Sequence, residues 1–168
     1  WAGAVGDEHV HTDGAALSRY TANVSGLERR IPAVVRPGTT EEVAEVVRTA
    51  RRFGTPLHPI SRGRNWGLGS KLPARDGTAV LDLSRMQRIR EVHARHGYAV
   101  IEPGVTQQQL YDVLRERSLP FVLNVIGSGR DTSLLGNALE RGIGYFASRA
   151  DALSGLEVVL GSGRVLRT

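Results

Sequence analysis

The amino-acid sequence predicts an α+β fold, and three observations carry that prediction. An apolar stripe at helical spacing runs through 39–53 and is followed by the short apolar run PLHPI. Two pairs of strand-like arms, IREVHARHGYAVIEPG and GLEVVLGSGRVLRT, each meet at a glycine-containing turn. Helix and strand signals are mixed with hairpins, not strictly alternating, which argues against a doubly wound sheet. At 168 residues, 40% hydrophobic and 23% charged, the chain can bury one real core. No internal repeat or linker interrupts it.

Residues 1–30 read as a small, polar, loosely ordered N-terminal lead-in. His9, His11 and Asp13 stand close together there, but no further metal ligand set accompanies them. The helix over 39–53 opens with Thr39 and Glu42 at capping-box spacing. Val43, Val47 and Ala50 form its apolar stripe, with Val46 and Phe53 beside it; Gly54 and Pro56 end it. PLHPI then forms a short buried strand, and TAVLDL another. After the first hairpin, Thr106 and Gln109 repeat the capping-box spacing and open a helix with Leu110, Val113 and Leu114 inward. Pro120 stops that helix. TSLLGNALERGIGY reads as a short helix crowded by glycines, and Gly161-Ser162-Gly163 turns the last hairpin.

Composition excludes several function classes. There is no Cys, so disulfides, thiolate metal sites and cysteine nucleophiles are out, and a reducing, cytoplasmic setting fits. Net charge is +5, almost all from arginine, which suits an anionic ligand or a basic solvated surface. Aromatics are only 5%, too few for an aromatic-basic nucleic-acid surface. No apolar run is long enough to span a membrane, and no signal peptide is visible. The chain starts at Trp1, so it is expected to derive from a longer one.

The stretch PISRGRNWGLGSK, residues 59–71, leaves an apolar run and crowds small residues and arginines into a loop. Small side chains let backbone N–H groups approach an anion. Neither common nucleotide signature is present: Gly67-x-Gly69 and Gly127-x-Gly129 lack the third glycine of G-x-G-x-x-G, and no G-x-x-x-x-G-K-[ST] surrounds Lys71. Spacing alone therefore leaves a surface loop and an unusual phosphate cradle both open. A second segment, GSGRDTSLLGNALERGIGY, has glycines at 127, 129, 136, 142 and 144. Gly136 and Gly142 fall in or beside the short helix, where each costs roughly 1 kcal/mol against alanine. Close packing of helix on sheet, or close approach of a flat ligand, accounts for that. Two such loops suit a long ligand with a diphosphate and planar rings.

PISRGRNWGLGS, VLDLSRM, EPGVTQQQLYDVL, LLGNALERGIGY and GLEVVLGSGRVLRT occur in that order. In this the chain resembles the flavoprotein family of vanillyl-alcohol oxidase and the para-cresol methylhydroxylase flavoprotein subunit, from about Ile31 to Thr168. The resemblance implies a PCMH-type FAD-binding domain over 31–168, of two α+β subdomains, the second incomplete, without its C-terminal end or a substrate domain. It implies that Ser61, Arg62, Gly63, Arg64, Asn65 and Trp66 bind the FAD diphosphate through main-chain donors. It further implies that Gly127, Ser133, Gly136, Asn137, Glu140, Gly142, Gly144 and Tyr145 form a wall along diphosphate and flavin. Glu157 and Val158 would meet the adenine end.

Some members of the family attach the flavin covalently through a histidine in the first loop. Asn65 stands at that place here, so FAD is expected to be non-covalent with respect to this chain. FASRADALSG, after Gly144-Tyr145, departs from the Tyr-Gly-Asp-His run of vanillyl-alcohol oxidase-like relatives. The resemblance implies an FAD-dependent oxidoreductase acting on a phenolic or alcohol substrate, with self-association or a second chain as partner. The isolated chain is expected to be inactive, and no catalytic residue is assigned. The competing expectation is a truncated or degenerate FAD-fold module with a non-catalytic binding role.

Overall fold

A computed structural model describes residues 1–64, 71–124, 129–140 and 143–168. In chain order its helices are α1 (Ala2–Val5), α2 (Gly14–Thr21), α3 (Thr40–Arg52), α4 (Gln107–Glu116) and α5 (Leu134–Leu139). Its strands are β1 (Val10–His11), β2 (Val34–Val35), β3 (Leu57–Ile60), β4 (Ala79–Asp82), β5 (Ile89–His93), β6 (Tyr98–Ile101), β7 (Glu157–Val159) and β8 (Val165–Arg167). The first four strands make a mixed sheet in the order β1-β2-β4-β3, with β4 parallel to both β2 and β3. β5–β6 and β7–β8 are separate antiparallel hairpins. The expected α+β mixture is what forms.

The period-2 alternation of strands splits the core in two. Val34 pairs with Val80 and Val35 with Leu81 across the sheet. Val35 and Leu81 face Val43 and Val46 of α3, together with Val5 and Met86. Val34 and Val80 face the other way, to Ile31 and Ile60, with Leu17 and Tyr20 of α2 packed on them. Each such side chain contributes about 1.5–3 kcal/mol when fully buried. The central sheet is thus covered by α1 and α3 on one face and by α2 on the other.

The N-terminal lead-in is therefore more ordered than its composition suggests. Val5 is buried in the core, β1 pairs antiparallel with β2, and the Trp1 indole donates to the Val46 carbonyl at 3.2 Å. α2 is capped by Asp13, which accepts from Ala16 N–H at 2.8 Å.

α3 begins as expected: Thr39 Oγ1 accepts from Glu42 N–H at 3.1 Å. The Glu42 carboxylate bonds to Gly38 N–H, one residue before the cap. Val46 is fully buried and Phe53 is exposed, because the helix ends at Arg52 and Phe53 is its C-cap. PLHPI is less buried than expected; only Ile60 of β3 is fully inside, whereas every residue of β4 is. α4 carries the full capping box between Thr106 and Gln109, with Leu110 and Leu114 buried. It ends at Glu116, before Pro120, and Ser118 follows in left-handed backbone, φ 51°.

Candidate FAD-binding site

The parallel strands β3 and β4 end at the same edge of the sheet, and the loop that begins at Ser61 leaves from there. Ligands of open α/β sheets collect at such carboxyl edges, where loops diverge and backbone donors are free. The edge is held by α2. Tyr20 Oη donates to Asp82 Oδ2 at 2.7 Å, Arg36 Nε lies 3.5 Å from the same carboxylate, and Lys71 Nζ donates to the Arg19 carbonyl at 2.5 Å. Burial, then the hydrogen bond to Asp82, pushes the Tyr20 hydroxyl well above the usual tyrosine range, so it stays a donor.

The two glycine-rich segments, separate in sequence, meet in space. Ser61 lies against Gly136: a Cβ built on that glycine would overlap Ser61 Oγ. Arg62 Nη1 donates to the Gly104 carbonyl at 3.2 Å, and Arg64 Nε sits 3.4 Å from Asp131 Oδ2. Gly63 adopts φ 61°, a conformation that costs residues with a Cβ. A Cβ there would also lie 3.2 Å from Lys71 Cβ. On the facing side Ser133 caps α5, accepting from Gly136 N–H at 3.0 Å while donating to the Pro103 carbonyl at 2.7 Å.

Asn137 follows Gly136 on α5, and its Oδ1 accepts from Arg149 Nη1 at 2.8 Å. Arg149 is buried at 5% exposure and also donates to the Asn124 carbonyl and to Gln107 Oε1, each at 2.6 Å. Gly144 has no room for a side chain, because a Cβ would strike the Asn124 carboxamide. Tyr145 is 91% exposed and Glu140 is also at the surface.

Glu157 and Val158 stand apart, on β7. Glu157 Oε1 accepts from Thr40 Oγ1 at 2.7 Å and Oε2 from Arg167 Nε at 2.8 Å; these two hydrogen bonds hold its carboxyl below the usual glutamate range. Among the described residues no hydrogen bond or ion pair joins this strand to the loop after β3. Asn65, Trp66, Gly127 and Gly142 lie outside the described residues.

The chemistry of these two segments fits an anionic cofactor. A Cβ on Gly136 would overlap Ser61 Oγ, and the first segment carries a buried guanidinium nitrogen, Arg62 Nε, with no hydrogen-bond partner. Sequence reasoning singled out both segments but gave no place beside them to Arg149, Gly104 or the Tyr20–Asp82 pair. Gly104 lay within the quoted EPGVT run and carried the signal of a glycine beside a helix cap. Arg149 had only its departure from the family run as a signal. Among the described residues no helix is long and apolar enough to cross a membrane, and no cluster of three or more His, Asp or Glu could hold a metal.

Comparison with known proteins identifies the family. Residues 31–168 match the family model described as an FAD binding domain. The chain is 42% identical over 166 residues to 1'-carboxy-chondrochloren decarboxylase of Chondromyces crocatus, covering 98% of this chain and 31% of that protein. It is 34% identical over 169 residues to the 4-cresol dehydrogenase [hydroxylating] flavoprotein subunit of Pseudomonas putida, covering 98% and 32%. Among solved structures, p-cresol methylhydroxylase with substrate bound superposes with a TM-score of 0.94 at 34% identity, covering 99% of this chain and 33% of that one. The 4-ethylphenol oxidase of Gulosibacter chungangensis gives 0.90 at 36%, with the same coverage. The chain thus spans about a third of the length of these relatives. It belongs to the FAD-binding domain family, with the PCMH-type fold and FAD as its cofactor, and it is similar to that domain of the p-cresol methylhydroxylase flavoprotein.

Proposed function

We propose that FAD lies along the crevice between the loop after β3 and α5, in an oxidoreductase that acts on a phenolic or alcohol substrate. The observation that carries the reading is the meeting of Ser61 with Gly136, which brings the two glycine-rich segments within one side chain of each other. Main-chain N–H groups of Ser61 to Trp66 would hold the diphosphate, with Arg62 and Arg64 adding positive potential. Ser133, Gly136, Asn137, Glu140, Gly144 and Tyr145, with Gly127 and Gly142, would wall the diphosphate and flavin. The backbone of Glu157 and Val158 would serve the adenine end.

When bound, FAD supplies a two-electron acceptor for hydride removed from a substrate. The residues of this chain bind and orient; none is assigned a proton transfer. The phenolic class is supported by the 34% identical 4-cresol dehydrogenase subunit and the 36% identical 4-ethylphenol oxidase. A carboxylated substrate is the second reading, supported by the 42% identical decarboxylase. A partner chain is part of the first reading, since the cresol relative is itself named as a subunit. The domain division at residue 31 is likewise a proposal, because 1–30 pack on the same core.

The test is FAD titration of the wild type and of Gly63→Val, followed by turnover assays of the FAD-loaded intact protein with para-alkylphenols and with a phenolic carboxylate. Weaker FAD binding by the folded variant supports the cradle; unchanged affinity overturns it. Oxidation of the alkylphenol supports the first substrate class, and turnover confined to the carboxylate supports the second.

A further inference from the structure

Three charged groups are buried among the described residues: Asp82, Glu102 and Arg149. The two carboxylates each have arginine beside them, Arg36 at 3.5 Å from Asp82 and Arg88 at 2.8 Å from Glu102. Arg149 has no such counter-charge. Its three hydrogen bonds go to neutral oxygens, the Asn124 carbonyl, Asn137 Oδ1 and Gln107 Oε1. No ion pair among the described residues includes it, and the stretches outside them contain no Asp or Glu. A cation buried without a counter-ion is costly, and neutral acceptors recover only part of the lost hydration.

The geometry has a directional consequence. A guanidinium has donors only, so whatever faces it must accept. Gln107 obeys this with Oε1 toward Arg149 and Nε2 donating to the Gly129 carbonyl at 3.2 Å. Asn137 must obey it too, which turns Oδ1 toward Arg149 and leaves Nδ2, a donor, as the other end of its carboxamide. Asn137 adjoins Gly136, the residue pressed against Ser61 of the first loop. That donor belongs to the residue next to the contact between the two glycine-rich segments.

We propose that Arg149 is a positioning residue for FAD: by taking Oδ1 of Asn137, it makes that carboxamide meet the cofactor only as a hydrogen-bond donor. This rests on the reading that α5 lines the FAD crevice. The acceptor on FAD is a phosphate oxygen or an acceptor atom of the flavin ring, and the two are separable by experiment.

The experiment is FAD titration by flavin fluorescence in the intact protein, for Asn137→Ala, Arg149→Met and the double variant. Each single variant should weaken FAD about tenfold, and the double variant no more than either single one, because both remove the same bond. Arg149→Lys should recover part of the affinity. Losses that add in the double variant, or an Asn137→Ala variant that binds FAD as the wild type does, overturn the proposal. If Arg149→Met does not fold, Asn137→Asp decides: presenting an acceptor in place of the donor should weaken FAD more than Asn137→Ala, and equal or tighter binding overturns the proposal. ADP titrations identify the acceptor: a matching loss for ADP means phosphate, and a loss confined to FAD means the flavin. Gly63→Val runs alongside. If it weakens FAD while Asn137→Ala does not, the positioning role alone falls; if neither changes affinity, the crevice reading falls with it.

Discussion

Gly136 stands so close to Ser61 that a single methyl group on its Cα would overlap the serine hydroxyl. The contact joins α5 to the loop after β3, and it makes a separable prediction for Gly136→Ala. Alanine gains about 1 kcal/mol of helix propensity over glycine. Ser61 Oγ is the end of a short rotatable side chain, so it can turn away. The cofactor-free fold should therefore keep its melting temperature to within a few degrees, while FAD affinity falls several-fold because the cradle narrows. Thermal melts and FAD titration of the same samples check both halves. A variant that binds FAD normally would show that Ser61 and Gly136 do not bound the site.

Much of the fold was legible because its signals are local. Thr106 and Gln109 announce a capping box three residues apart, and the structure contains it. Val34–Val35 and the Ala79–Asp82 run owe their burial to a sheet covered on both faces, which a short apolar segment does not reveal. The N-terminal lead-in looked loose because Trp1 finds its partner 45 residues away, at Val46. Arg149 was illegible for the same reason. Its acceptors lie 12, 25 and 42 residues back along the chain, and only the fold assembles them. Phe53 was misplaced by periodicity, since the stripe continues past the residue where the helix stops.

Glu102 is 3% exposed and accepts from the Arg88 N–H at 2.9 Å, Arg88 Nε at 2.8 Å and Arg90 Nη2 at 3.2 Å. Burial alone would raise its carboxyl, but these bonds outweigh burial and hold it below the usual glutamate range. A depressed carboxyl stabilises the fold above the unfolded-state value, and the contribution is lost as pH falls through the folded-state value. Glu102→Gln should cost roughly 2 kcal/mol at neutral pH, because Arg88 and Arg90 lose a charged acceptor. The variant should also lose stability less steeply than the wild type on acidification. Urea unfolding at neutral and acid pH measures both; parallel pH profiles would exclude the role given to Glu102.

Tyr20 is the alkaline counterpart. Its hydroxyl, half-buried and bonded to Asp82, titrates well above the ordinary tyrosine range. An acid held protonated by the fold stabilises it fully below the unfolded-state value, and the contribution is lost as pH rises beyond that value. Tyr20→Phe should cost about 1 kcal/mol at neutral pH, leaving Asp82 with fewer donors. Above the ordinary tyrosine range the difference from wild type should shrink. Melting temperatures across an alkaline series follow it, and a gap that widens with pH would contradict the assignment.

The absence of cysteine, with Asn65 where the family resemblance implies that some members attach the flavin through histidine, predicts a flavin that dissociates from this chain. Acid precipitation of the yellow protein should leave the colour in the supernatant. Colour retained in a washed, denatured pellet would mean a covalent bond to some other side chain.

Gly104 turns the chain between β6 and α4 inside a ring of backbone oxygens. A Cβ on it would lie 2.7 Å from the Met86 carbonyl oxygen, 2.9 Å from that of Leu83 and 3.1 Å from that of Ser84. Unlike the Ser61 hydroxyl at Gly136, these atoms belong to main chain and cannot rotate away. Gly104 N–H also donates to the Met86 carbonyl at 2.8 Å, so the turn cannot open without losing that bond. Gly104→Ala should therefore destabilise the fold by about 1–3 kcal/mol, the usual cost of overpacking a closed site. The Gly104 carbonyl, moreover, accepts from Arg62 Nη1 at 3.2 Å and so helps hold the first loop. A shifted turn should move Arg62, and FAD affinity should fall even under conditions where the variant is fully folded. Urea unfolding gives the first quantity and FAD titration at low temperature the second. A Gly104→Ala variant of wild-type stability would show that the β6–α4 turn yields freely, and normal FAD affinity in a destabilised one would uncouple Arg62 from the cradle.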